Sequence, residues 1–134
     1  MTLPAADVKV TPTQARRQEM RERAVELMRS HLAQSDYSLQ HLADELHISG
    51  RQLQRVLKDL PRGGFRSELC YWRMIEAARL LSDGKAAVND IAPQVGYTQP
   101  MHFSKAFRRQ FHCSPRQWRS RCAHKLQAKK AVRH

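Results

Sequence analysis

The stretch HISGRQLQRVLKDL, His47 to Leu60, places Arg51, Gln54, Arg55 and Lys58 at positions i, i+3, i+4 and i+7. On a helix that spacing gathers all four on one face, while Leu53, Val56, Leu57 and Leu60 fall on the other. An arginine fork matches the O6 and N7 acceptors of guanine, and a glutamine amide pairs with N6 and N7 of adenine, so this stripe has the chemistry of base-edge reading. Lys58, and Ser49 at the head of the helix, suit phosphate oxygens. A second stretch, TQPMHFSKAFRRQF, offers Gln99, Met101, His102 and Lys105 to a groove in the same way. There Arg108 and Arg109 fall toward the phosphate backbone, and Thr98 reads as the helix cap. Met101 is equally open to plain packing, and His102 to a neutral surface role.

The bulk charge agrees with a polyanionic partner. Lys and Arg number 24 against 12 Asp and Glu, a formal net charge of +12 that repels itself unless counter-charge is supplied. Nucleic acid is the leading partner, with a basic solvated or membrane-surface face as the plainer alternative. The three cysteines form no C-x-x-C pair and the seven histidines no H-x-x-x-H pair, so neither a disulfide framework nor a metal site nor any cofactor is expected. No paired carboxylates, G-x-S-x-G elbow or phosphate-cradling glycine loop is present, which argues against an enzyme. No run approaches the roughly 18 apolar residues of a membrane span, and the N-terminus lacks the basic-then-apolar pattern of a secretory signal. The expectation is a soluble, cytoplasmic protein.

The elements that must hold these stripes can be read from periodicity and punctuation. Residues 1–14 read as a flexible tail. From Arg16, the apolar set Met20, Ala24, Leu27, Met28 and Leu32 predicts a helix ending near QSDY, residues 34–37. Ser38 caps a short second helix, and the S-x-x-Q pair Ser49 and Gln52 forms a capping box for the third. Pro61, Gly63 and Gly64 stop that helix. A long helix over 65–83 follows, with Phe65, Leu69, Trp72, Ile75 and Leu80 in register up to Gly84. Then the pattern repeats: Leu39, Leu42 and Ala43 recur as Val88, Ile91 and Ala92, 49 residues on, and Leu53 and Leu57 recur as Phe103 and Phe107, 50 residues on. No strand pattern appears. The predicted fold is all-α, about seven helices, with two helix-turn-helix lobes (about 15–64 and 85–122) joined by the linker helix 65–83. The C-terminal AHKLQAKKAVRH, residues 123–134, reads as a flexible basic arm carrying Lys125, Lys129, Lys130 and Arg133. The alternative is docking of Leu126 and Val132 as a last helical turn.

A short helix, a tight turn and a capped helix with a basic outer face make the helix-turn-helix layout, whose second helix lies in the major groove. Here the segments LADELHISGRQLQRVLK, LCYWRMIEAARLL and IAPQVGYTQPMHFSKAFRRQFHCSPRQWR resemble the DNA-binding domain of the AraC/XylS family of bacterial transcription regulators. The resemblance implies two recognition helices set into successive major-groove segments on one face of DNA. Small standalone members read bases at the positions occupied here by Arg51, Gln54 and Arg55, and by Pro100, Met101, His102 and Lys105. Pro100 and Met101 lack the hydrogen bonds usual there, leaving an apolar contact to a thymine methyl. His47 stands where the family often has Gly. Pro93 reads as early in the first helix of the second lobe, where it removes one helical bond. The family's separate effector domain does not fit in residues 1–14, so no small-molecule effector is expected within this chain, which is a standalone regulator or part of a longer one. The expected function is a sequence-specific regulator binding double-stranded DNA as a monomer, with RNA polymerase as a further candidate partner. The alternative is nonspecific nucleic-acid binding or packaging.

Overall fold

The computed structural model describes the backbone of residues 11–132 and the side-chain surroundings of residues 11–123. Among these residues there are seven helices and no strand: α1 (Pro12–Ser30), α2 (Leu39–Glu45), α3 (Gly50–Leu57), α4 (Phe65–Asp83), α5 (Val88–Gln94), α6 (Pro100–Phe111) and α7 (Pro115–Val132). The ends differ from the sequence expectation in three places. Helix α1 begins ahead of Arg16, because Thr11 Oγ1 accepts from the Gln14 amide and Gln14 Oε1 accepts from the Thr11 amide, at 3.1 and 3.0 Å, with Pro12 preset for the first turn. Residues 12–14 are therefore helical, while residues 1–10 of the expected tail lie outside the described residues. Helix α1 also stops at Ser30, short of residues 34–37, where the His31 amide closes it onto the Leu27 and Met28 carbonyls. Finally, α7 carries on to Val132, so residues 123–132 have a helical backbone in place of an irregular arm. The side chains of that stretch from His124 onward lie outside the described residues.

Two cores form, and α4 belongs to both. Its Leu69 packs with Met28, Leu42, Leu53 and Leu57 in the first lobe. Met74, Ala77, Ala78 and Leu81 pack with Ile91, Val95, Phe103 and Phe107 in the second. Of the stripe expected from periodicity, Leu69 is buried, while Phe65, Trp72, Ile75 and Leu80 are only half-buried. A helix that faces two cores in succession has no single apolar stripe, which is why a one-face reading fails here. Glu68 on the same helix is buried. Its Oε2 accepts from Trp72 Nε1 at 3.0 Å and from Arg62 Nη1 at 3.4 Å, and its Oε1 has no partner.

The junction between lobes is built on Arg73. Its Nε donates to the Leu32 carbonyl at 2.9 Å and its Nη2 to the Gln34 carbonyl at 2.8 Å, both in the loop leaving α1. Burial pulls its pKa below the usual guanidinium value, but an arginine remains charged. The side chain lies along the Tyr97 ring, and the Tyr97 hydroxyl is 3.4 Å from Cys70 Sγ. Arg119 on α7 does related work, donating from Nε to the Leu81 carbonyl at 3.1 Å and from Nη2 to the Ala86 carbonyl. Those acceptors flank the end of α4, where carbonyls have no helical partner.

Two glycines test this packing. Gly84 ends α4 at φ +71° with open space around the position of a Cβ. Gly96 has φ +87°, and a Cβ there would meet the Leu32 carbonyl oxygen, with Arg73 Nε at 2.8 Å. Gly84→Ala should cost about 1 kcal/mol, the ordinary strain of a left-handed alanine. Gly96→Ala should cost roughly 3 kcal/mol or more, because it adds a clash with the junction. Urea unfolding of the two variants checks the difference, and equal losses would show that the junction is not tightly packed.

Candidate nucleic-acid interface

Helix α3 is positioned by the capping box foreseen in the sequence: Ser49 Oγ accepts from the Gln52 amide at 3.1 Å, and Gln52 Oε1 accepts from the Ser49 amide at 3.0 Å. Leu53 and Leu57 are buried and Val56 and Leu60 half-buried, while Arg51, Gln54, Arg55 and Lys58 are exposed. Among the described residues none of Arg51, Arg55 and Lys58 is drawn into an ion pair. The stripe is thus a set of free donors on a rigid, capped helix.

The turn before α3 recurs before α6. Ile48 donates its amide to the Ala43 carbonyl at 3.0 Å across His47, whose φ is +58°. Tyr97 donates to the Ala92 carbonyl at 2.9 Å across Gly96. Both are Schellman-type helix ends with the left-handed residue that such ends require. His47 accepts the angle at a cost of about 1 kcal/mol.

The start of α6 corrects the expectation for Thr98. The N-cap is Gln99, with φ −120° and ψ 123° and no side-chain cap bond, and Thr98 lies outside the helix. Pro100 explains the shift: the residue before a proline is held extended, so Gln99 takes the capping slot. Pro93 is likewise misplaced by sequence reading. It sits in the last turn of α5, not early in it, and the helical bond it removes is the one to the Asn89 carbonyl. Phe103 and Phe107 are buried and Ala106 half-buried. Gln99, Pro100, Met101, His102, Lys105, Arg108 and Arg109 are all exposed. Met101 is 71% exposed, which removes the packing explanation for it.

The N-terminal turn of α4 lies between the two stripes. Gln54 of α3 and Tyr97 of the second turn line one groove with Arg66, Cys70 and Arg73. An adjoining cleft is lined by Arg62, Arg66, Tyr71 and Arg109, the last from α6. Arg66 is exposed, whereas Arg62 is tethered over the Tyr71 ring at 3.3 Å and to Glu68. Neither arginine was foreseen, because the segment PRGGFR reads as a helix stop. Among the described residues no cluster of His, Cys, Asp and Glu fit to hold a metal occurs, and no helix is long and apolar enough to cross a membrane.

The unequal caps yield a prediction. Ser49→Ala should destabilise the fold by about 1 kcal/mol through loss of its amide contacts. Thr98→Ala should change stability by less than about 0.5 kcal/mol, since Thr98 caps nothing. Thermal melting of both variants decides, and a matching loss for Thr98→Ala would restore it as the cap.

A family model described as a helix-turn-helix domain matches residues 42–121. The HTH-type transcriptional activator RhaS of Escherichia coli K12 is 39% identical over 75 residues, which is 56% of this chain and 27% of RhaS. The chain thus spans about a quarter of the length of the curated relatives it matches. Among solved structures, the C-terminal domain of AraT, a response regulator from Geobacillus stearothermophilus, is 31% identical with a TM-score of 0.70, covering 84% of this chain and 88% of that one. A transcriptional regulator with an AraC-type DNA-binding domain from Chromobacterium violaceum is 27% identical with a TM-score of 0.74, covering 81% and 96%. The DNA-binding domain of AdpA, solved in complex with a target DNA, is 25% identical with a TM-score of 0.71, covering 78% and 94%. With seven helices in two helix-turn-helix lobes and a match over most of that length, the chain belongs to the AraC/XylS family of helix-turn-helix proteins.

Proposed function

We propose that this chain reads double-stranded DNA by sequence and thereby regulates transcription in a bacterium. The observation that carries the reading is the pair of exposed, donor-bearing faces on α3 and α6, held in fixed relation by α4 and Arg73. The likeness to a domain solved on its target DNA supports it, and the likeness to an activator favours activation, with RNA polymerase as a further partner. In the first lobe Arg51, Gln54 and Arg55 read bases. In the second Gln99, Met101, His102 and Lys105 do so, with Pro100 beside them. Ser49, Lys58, Thr98, Arg108 and Arg109 hold phosphates, and exposed Arg66 between the lobes joins them. One chain bearing two unequal lobes binds an asymmetric site as a monomer, in the cytoplasm where the nucleoid lies.

Binding to duplexes selected from a random pool tests the reading. The selected site should be preferred over random duplex by at least about a thousandfold. Arg51→Ala should lose about 1–3 kcal/mol of binding and relax the preference at one base pair. A protein that binds random and selected duplexes alike would be a nonspecific packaging protein, and an equal loss for Arg51→Ala on both would assign Arg51 to phosphate.

A further inference from the structure

We propose that Met101 reads a thymine methyl group, so that the second segment of the site requires a 5-methylpyrimidine beneath the tip of α6. This rests on the DNA reading above and goes further by naming what one lobe selects. Met101 is the large hydrophobic side chain that stands out in solvent among the described residues, at 71% exposure, in the first turn of α6. The fold does not use it: Phe103 and Phe107 supply the buried face of the helix. The two recognition helices therefore meet a groove with different chemistry. Helix α3 leads with charged and amide groups, and its cap is satisfied by Ser49 and Gln52. Helix α6 leads with Pro100 and Met101, which carry no side-chain hydrogen-bonding group beyond a thioether, and its cap residue makes no side-chain bond.

On the floor of the major groove the C5 methyl of thymine is the apolar feature, whereas cytosine presents an amino group and the purines present N7. A thioether laid on a methyl buries apolar surface on both sides. Laid on an amino group or N7, the same thioether strips water from a polar group and gives no hydrogen bond in return. Met is unbranched and polarizable, so it can settle on the methyl without demanding one rotamer. His102 and Lys105, exposed on the same helix, supply the polar contacts on either side.

Deoxyuridine differs from thymidine only by that methyl, which makes the test specific. Duplexes recovered by this chain from a random pool are resynthesised with each thymine changed singly to deoxyuridine. Affinities are measured for the parent and for Met101→Ala, whose melting should match the parent because Met101 is exposed. One deoxyuridine in the second segment should weaken the parent about fourfold, the worth of one buried methyl-sized group. The same change should leave Met101→Ala unaffected. Tolerance of deoxyuridine at every position, or a penalty that persists in Met101→Ala, would overturn the proposal. A selected site defined only in its first segment would also overturn it while leaving sequence-specific DNA reading intact, and a pool yielding no site at all would remove both.

Discussion

The Arg73 guanidinium ties the two lobes together at the linker helix that both cores share. It reaches from the middle of the linker helix to two carbonyls at the exit of α1, and the second turn lies against it so closely that Gly96 has no room for a side chain. Hydrogen bonds from a charged donor contribute about 1.5–3 kcal/mol, and losing this donor would also leave the Leu32 carbonyl without its partner, while the Gln34 carbonyl would keep the Tyr37 amide. Leu32, beside one of those carbonyls, packs against both cores. The linker helix is therefore not a spacer between independent modules. It is a shared wall, and the separation of the two recognition helices is set by its packing.

The two lobes share a backbone plan and differ in chemistry. The turn hydrogen bonds match at an offset of 49 residues, Ile48 to Ala43 and Tyr97 to Ala92. Past the turn the copies diverge. The first lobe spends Ser49 and Gln52 on a full capping box and presents arginines, while Pro100 in the second displaces the cap to Gln99 and brings Met101 to the surface. Symmetric dimers apply one reading head twice to a palindrome. Two different heads in one chain suit a site whose segments differ.

Local signals are legible in the sequence where one residue decides the outcome. Ser38, Ser49 and Gly84 fixed helix ends because capping and left-handed termini depend on the side chain at a single position. The outward stripe of α3 was legible because Leu53 and Leu57 leave no other orientation. Elsewhere the local signal misleads for physical reasons. Thr11 and Gln14 form the same capping box as Ser49 and Gln52, but the prolines around them suggested a tail. Thr98 looked like a cap until the extended geometry imposed by Pro100 is considered. Of the stripe expected on α4 only Leu69 is buried, because the helix's two cores lie on different sides. The roles of Arg73 and Glu68 were not legible at all, since their partners lie in other segments or depend on burial that no local pattern reports.

One chain is proposed to hold two recognition helices at a fixed separation, one in each of two successive major-groove segments. Hydroxyl-radical footprinting of a selected duplex, and of the same duplex with about 5 base pairs inserted between its two protected segments, tests this most directly. Protection is expected in two segments roughly 34 Å apart on one face of the uninterrupted site. Half a turn of inserted DNA should abolish the second segment's protection and reduce affinity to that of the first segment alone. Unchanged protection of both segments after the insertion would rule out a fixed separation, because lobes that follow their targets around the helix are not held together by Arg73 and the linker.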